Sequence, residues 1–265
     1  MLNPAAPRPL KRITPSEKDV RILRELRAPE QAEQPGDYRD KVVVKPWGYE
    51  FLVFENPLVA VWFLHIRKDH STSMHCHPRK RTGLAVLTGK ALCNTFHQRN
   101  FLSAGDALNL DAGTFHGTKA MSLDGICLLE VESPNNKADL VRMEDSYGRQ
   151  AGGYEGVAQM RAANLESYRH FYFRPGDRPW QVEGGARTFP GAFSIGFEGF
   201  DGPQAFARGF RPEPGALYSL CLGSLLDGTA PVARPGEVER GSFLAGLPGL
   251  AADGPVLLLK IRLFD

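Results

Sequence analysis

The sequence predicts an all-β protein with one short N-terminal helix, and three observations carry that reading. From Val42 onward the apolar residues fall in short runs: Tyr49 to Glu55, Leu58 to Arg67, Leu84 to Leu87, Ala91 to Phe96, Asp106 to Leu110 and Ile126 to Glu132. Gly, Pro, Asn and Asp punctuate those runs at turn positions. Many short strands separated by turns build an antiparallel sandwich or barrel. The helical pattern comes earlier, where Ser16 can cap a helix running to about Arg27. Val20, Leu23 and Leu26 recur there at helical spacing, with Glu17 and Asp19 in the first turn. Residues 1 to 12 are rich in Pro and Arg and are expected to be loose, and residues 28 to 40 read as a polar linker, so residues 1–40 form an N-terminal extension.

Composition sets the bounds. A chain of 265 residues can bury one large core or two modest ones. Its 32 basic and 30 acidic residues nearly cancel, so no bulk field argues for nucleic acid or a membrane surface. The longest apolar runs, such as Leu58 to Ile66, are too short to span a bilayer. Met1-Leu2-Asn3-Pro4 has no apolar signal-peptide core. Cys76, Cys93, Cys127 and Cys221 show no Cys-x-x-Cys spacing and sit in apolar contexts, which predicts buried thiols. The expected location is cytoplasmic.

Three histidines point to chemistry. His75 and His77 lie one residue apart in Met74-His75-Cys76-His77-Pro78, and His116 follows the turn Asp111-Ala112-Gly113-Thr114-Phe115. In a strand, side chains at i and i+2 share a face, roughly 7 Å apart. Two such imidazoles can grip one metal ion when a third arrives from another strand. Neutral imidazoles suit Fe, Mn, Zn, Ni or Cu better than Ca or Mg, so one divalent transition metal is the expected cofactor. Cys76, between the two, is expected to face the other way and pack.

At these residues the chain resembles the cupin superfamily. The first cupin motif is Gly, five residues, His-x-His, three or four residues, Glu, six residues, Gly. Here Asp69 stands at the first Gly, His75 and His77 fit, Thr82 replaces Glu, and Gly89 closes the motif in register. The second motif is Gly, five residues, Pro-x-Gly, two residues, His, matched by Gly105, Asp111 (in place of Pro), Gly113 and His116. The resemblance implies a cupin jelly-roll barrel over residues 41–155 and a three-His metal site, to which the family adds a Glu that Thr82 does not supply. It also implies a homodimer, since cupins pair through edge strands that need covering.

Residues 160–265 read as a degenerate second barrel. Leu217 to Gly223 resembles Leu84 to Gly89, Gly241-Ser242-Phe243-Leu244 resembles Gly105-Asp106-Ala107-Leu108, and Asp253 to Leu258 resembles Asp124 to Leu129. No histidine follows His170, so this half cannot hold the same kind of site.

Candidate catalytic residues surround the histidines. Glu130 and Glu132 share one face of the strand after His116, where an inward carboxylate can replace the missing motif Glu as base or fourth ligand, and Glu130 is the one chosen. His65 alternates with Phe63 and Arg67 and can serve as an inward acid or base, the commoner outcome being a hydrogen-bonded core histidine. Arg79, Lys80, Arg81 and Lys119 are cations that can hold a phosphate or carboxylate at a barrel mouth. Lys119 has the strongest claim because it closely follows His116, whereas Arg79 and Arg81 read equally well as a solvated turn.

Lys45-Pro46-Trp47-Gly48-Tyr49-Glu50 and the Met-His-x-His core resemble the cupin domain of type II phosphomannose isomerases, over residues 45 to about 120. Leu140 to Asp145 resembles a stretch in cupins of surface-polysaccharide and activated-sugar chemistry. The resemblance implies a sugar or sugar-phosphate isomerase or epimerase. A three-His non-haem Fe(II) dioxygenase and a non-catalytic small-molecule-binding cupin are the alternatives. An inward carboxylate near the metal distinguishes the first, and a dry pocket with only His ligands the second.

Overall fold

A computed structural model of the chain describes residues 8–26, 36–144, 160–161 and 165–264. The first half contains β1 (Arg12–Ile13), α1 (Glu17–Leu26), β2 (Val42–Lys45), β3 (Gly48–Glu55), β4 (Ala60–Ile66), β5 (Met74–Cys76), β6 (Arg81–Thr88), β7 (Lys90–Thr95), β8 (Arg99–Ser103), β9 (Ala107–Leu110), β10 (His116–Ala120), β11 (Ile126–Ser133), β12 (Val141–Glu144) and β13 (Met160–Arg161). One sheet has the order β1-β9-β6-β11-β4-β3-β2-β13 and the other β12-β5-β10-β7-β8. They enclose Leu52, Trp62, Leu64, Leu84, Val86, Cys93 and Leu128, forming a jelly-roll barrel. Gly152 and Gly153, expected at the barrel's exit, lie outside the described residues.

Along β4, Trp62, Leu64 and Ile66 face this interior, while Val61 and Phe63 face a second core shared with the C-terminal half. A strand covered on both faces loses polar alternation, which is why Leu58 to Arg67 reads as one apolar run. Residues 8–12, the described part of the segment expected to be loose, are tied into the barrel, and residues 1–7 lie outside the described residues. β1 pairs in parallel with β9, Arg12 opposite Asn109 and Ile13 opposite Leu110. Ser16 caps α1, its Oγ accepting the Asp19 N–H at 3.2 Å while the Asp19 carboxylate accepts the Ser16 N–H at 2.8 Å.

The second half contains β14 (Arg187–Phe189), β15 (Phe193–Phe200), α2 (Pro203–Gly209), β16 (Leu217–Leu222), β17 (Leu225–Asp227), β18 (Ala230–Ala233), β19 (Val238–Arg240), α3 (Gly241–Ala245), β20 (Leu250–Ala252) and β21 (Val256–Leu263). Its pairing repeats that of the first half. β15 and β16 flank β21 as β4 and β6 flank β11, and β16 pairs with β19 as β6 pairs with β9. β17 lies between β18 and β20 as β7 lies between β8 and β10. Two sequence echoes are displaced: Val256 matches Ile126, one residue off the echo of Asp124 to Leu129, and the echo of Gly105 falls on the wrong glycine. Gly241 starts α3, whereas the counterpart of Gly105 is Gly236. Gly105 donates to the Val86 carbonyl at 2.9 Å and Gly236 to the Leu220 carbonyl at 3.0 Å, with φ of 87° and 88°. Leu244 matched the apolar pattern but packs from a helix.

The halves pack sheet on sheet, with Phe51, Phe63, Leu129 and Val131 against Ile195, Leu217, Leu257 and Leu259. Gly83 permits the close approach, since a Cβ there would sit 2.5 Å from the Gly236 carbonyl oxygen. Asn109 crosses the junction as a surrogate strand residue. Its Nδ2 donates to the Val238 carbonyl and its Oδ1 accepts the Val238 N–H, both at 2.9 Å. Asn109→Ala would orphan two buried backbone groups, so a loss of about 2–4 kcal/mol is expected from the shift in denaturation midpoint.

Glu239 is buried beside this junction, its carboxylate accepting the Leu10 N–H at 3.0 Å. Burial, reinforced by the charge of Glu237, pushes its pKa up from 4.5 to about 7 against that hydrogen bond. The folded chain therefore holds this proton more tightly than the unfolded chain, and the contribution of Glu239 to stability falls as pH rises from 4.5 through 7. Glu239→Gln is expected to match the wild type near pH 4 and to exceed it by about 3 kcal/mol above pH 7, measured by denaturation across that range.

The cysteines are free, and burial pushes the thiols of Cys76, Cys93 and Cys221 up to about 12. Among the described residues no helix is long and apolar enough to cross a membrane.

Candidate metal centre

The three histidines and Glu130 meet inside the first barrel. β5 carries His75, which lies directly opposite His116 at the start of β10. Cys76 turns to the other face and packs with Phe115 and Val141, as the alternation requires. His77 follows the end of β5, and its carbonyl accepts the Gly113 N–H at 2.8 Å, tying the two motif turns together. The turn before His116 is also fixed from α1, because Asp19 accepts the Phe115 N–H at 2.7 Å. Glu130 lies in the middle of β11, between Trp62 on β4 and Leu84 on β6.

One ligand atom from each of His75, His77, His116 and Glu130 lies within 4.8 Å of all the others. Metal–N and metal–O bonds of about 2.0–2.2 Å place donors on opposite sides of an ion about 4.4 Å apart at most, so this set closes on one ion with a contraction of a few tenths of an ångström. The imidazoles are oriented for it. His75 Nδ1 lies 2.9 Å from the Ser73 carbonyl, His77 Nδ1 2.7 Å from that of Asp139 and His116 Nδ1 3.0 Å from that of Thr114. A carbonyl only accepts, so each Nδ1 carries the proton and each Nε2 keeps its lone pair for a metal. Nε2 of His77 and of His116 are buried without a hydrogen-bond partner, as expected of atoms reserved for an ion.

Electrostatics agree with the donor set. Burial, with the neighbouring imidazoles, holds His75 well below the ordinary histidine range, and burial with the Lys80 charge lowers His77. Burial pushes both carboxyls up, but stronger opposing effects win. The charge of Lys137 helps to hold Glu130 well below the usual range, and Lys137 and Lys80 hold Glu132 below it. Neutral imidazoles and an ionised carboxylate are the ligand states a divalent transition metal takes.

The departures from the cupin motif have physical explanations. Asp69 at the first Gly position has φ 61°, a left-handed conformation that Asp tolerates better than most residues. Asp111 at the Pro position donates its N–H to the Ile13 carbonyl at 2.9 Å, a bond proline cannot make. Thr82, where Glu is expected, is buried directly opposite Glu132. The carboxylate missing from β6 is thus supplied across the sheet by β11, with Glu130 two residues along on the same face.

Beside the donors lies a chain of buried charges. Lys80 Nζ is 2.9 Å from Glu132, which is itself 3.6 Å from His77 Nε2. Lys137 Nζ is 3.2 Å from Glu50 and 4.0 Å from Glu132, over the Trp62 ring. Lys45 pairs with Glu50 at 3.5 Å. A cavity of about 50 Å³ lies here, lined by Lys45, Trp47, His75, Glu132, Lys137 and Arg142 among others.

Two residues chosen from sequence lie elsewhere. Lys119 stands an odd number of places from His116, so it faces away from His116 and Thr118, and it is absent from the cavity lining. His65 is half-buried on the outer face of β4, its ring stacked 5.0 Å from that of Tyr49. Lys80 is fully buried and faces Glu132. Lys45, Glu50, Lys137 and Arg142 were missed. Glu50 alternates with apolar Tyr49 and Phe51, a pattern that reads as solvent-facing because it hides that both faces of this strand are covered, and Lys137 comes from an irregular loop without periodic signal.

The fold and donor set define a class, a cupin-type jelly roll with a buried cluster of three His and one Glu that can hold a metal ion. The chain matches no protein-family model and no curated protein sequence. Solved structures similar to it include KdgF from a Halomonas species, at 22% identity over 38% of this chain and 87% of that one, TM-score 0.34. Another is an uncharacterised conserved protein with a double-stranded β-helix domain from Klebsiella pneumoniae, at 19% identity over 45% and 98%, TM-score 0.34. A third is the capsular polysaccharide assembling protein CapF from Staphylococcus aureus, at 15% identity over 39% of this chain and 34% of CapF, TM-score 0.35.

Proposed function

We propose that this chain is a metal-dependent isomerase or epimerase acting on a small carbonyl compound of the sugar or sugar-phosphate class. The observation that carries the reading is the pairing of a four-donor centre with a second inward carboxylate, Glu132, held between Lys80 and Lys137. His75, His77, His116 and Glu130 would hold one divalent transition metal, which when bound supplies Lewis acidity to a carbonyl oxygen. Glu132, kept ionised by its lysine partners, accepts the proton from the carbon next to the carbonyl. Lys137, whose pKa is raised by Glu132, Glu50 and Glu130 despite burial, stays an ammonium and can return a proton or hold an anionic group. Trp47 and Lys45 come from the segment that resembles the phosphomannose isomerases, and both line the cavity. That cavity suits the reacting end of a substrate rather than a whole sugar.

The test is solvent exchange. Metal-loaded protein is incubated in heavy water with aldose and ketose phosphates, deuterium at the carbon beside the carbonyl is followed by NMR, and oxygen is monitored in parallel. Deuterium uptake without oxygen consumption is expected. Oxygen consumption without exchange would transfer the site to oxidative chemistry.

A further inference from the structure

The second half has its own pocket, built along β15 and β21, and one of its lining residues stands at the register position of Glu130 in the first barrel. β21 corresponds to β11, and on it Val256, Leu258 and Lys260 fall in step with Ile126, Leu128 and Glu130. Lys260 lies between Tyr218 on β16 and Gly196 on β15, as Glu130 lies between Leu84 on β6 and Trp62 on β4. An ammonium therefore stands where the first barrel has a ligand carboxylate. Lys260 Nζ bonds Glu198 at 2.7 Å and Glu213 at 2.8 Å, and Arg262 Nε bonds Glu213 at 2.6 Å. A fixed cation at this point excludes a metal ion.

Around this network is a cavity of about 570 Å³, over ten times that beside the metal centre. Small residues hollow it: Gly196 replaces the Trp62 of the first barrel. Its outer wall is the segment from Arg174 to Gly185, which is internally bonded. Gly176 donates to the Gln181 carbonyl at 2.9 Å and Glu183 to that of Arg174 at 2.8 Å. The segment rests on β15, where a Cβ at Gly199 would sit 1.7 Å from the Trp180 carbonyl oxygen.

We infer that this cavity is a binding site for a neutral polyhydroxylated molecule, such as a monosaccharide, held beside Trp180. Charge supports this class. Glu198 and Asp201 balance Lys260 and Arg262 in the lining, so an anion meets carboxylates and a cation meets ammonium and guanidinium. Ser194 and Gln181 add uncharged donors and acceptors. Donors and acceptors of both kinds suit vicinal hydroxyls, and Trp180 in the lining supplies an aromatic side chain of the type that packs on the C–H side of a sugar ring. Net charge and size separate this site from the small, ion-rich cavity of the first barrel.

Trp180 also provides the readout. The other two tryptophans, Trp47 and Trp62, are buried in the first barrel. The full-length protein, with and without its metal, is titrated with glucose, mannose and galactose, then with glucose 6-phosphate and inorganic phosphate, and tryptophan emission is recorded. A saturable change with at least one neutral sugar is expected, independent of metal and absent in Trp180→Phe. Arg262→Gln, at the exposed rim, is expected to weaken that binding about tenfold, equivalent to one lost hydrogen bond. Calorimetry on Trp180→Phe checks binding without the fluorophore. No response to any of the three sugars, a response to phosphate only, or a sugar response unchanged in Trp180→Phe would overturn the proposal. Because the metal-free protein is included, failure here is separable from failure of the first-barrel reading.

Discussion

Replacing His77 with Ala is expected to weaken metal binding by more than a hundredfold while leaving the barrel folded. Removing an outer-shell partner of a metal ligand costs roughly 10–100-fold in affinity, and His77 is itself one of the four donors. The substitution removes an Nε2 that makes no hydrogen bond and frees the Asp139 carbonyl that anchors the ring. Leaving that carbonyl unpaired costs about 1–3 kcal/mol, which circular dichroism and a melting curve separate from global unfolding. His65→Ala and Lys119→Ala serve as controls and are expected to bind metal like the wild type, because both side chains face out of the barrel. Affinity is read by competition against a chromophoric chelator. Equal affinity in His77→Ala and the wild type would remove His77 from the centre.

Glu132→Gln is expected to do the reverse, keeping the metal within a fewfold of wild type and reducing substrate proton exchange by about 10²–10⁴, the usual contribution of a positioned general base. Glu132 is fully buried against Lys80, and removing one member of a buried ion pair costs about 3–5 kcal/mol. The variant is therefore expected to melt lower, and exchange is measured well below its transition. Glu132→Asp retains the charge for Lys80 but withdraws the carboxylate by one methylene, so it is expected to recover stability without recovering exchange. If Glu132→Gln keeps wild-type exchange, the proton is carried by another group.

The histidines were legible because their chemistry depends on short-range spacing. His75 and His77 share a strand face by period alone, and His116 follows a turn marked by Gly113. The fourth donor was legible only in part, since Glu130 and Glu132 shared a face but their distance from the histidines depends on strand pairing. Thr82 shows the difficulty: its exchange for Glu reads as a loss until β11 is set beside β6, where Glu132 lies opposite it. Closeness in sequence to His116 points to Lys119, but strand parity turns its side chain to the opposite face. Pro and Arg content predicts a loose segment over residues 1–12, yet its described end is held by partners far along the chain, Glu237 on Arg12 at 2.7 Å and Glu239 on Leu10, which no local pattern encodes. In the second half the sequence echo identified β16 and β21. It missed β19, because the matching Gly236 lies in a loop with different flanking residues.

The most direct test of the metal centre is the metal content of wild-type protein after reconstitution, measured by plasma mass spectrometry, with X-ray absorption of the bound ion. The account requires about one equivalent of transition metal per chain, ligated by three imidazoles and at least one oxygen donor. Sub-stoichiometric metal after reconstitution with Fe, Mn, Zn and Ni in turn, or a first shell lacking imidazole, would contradict it.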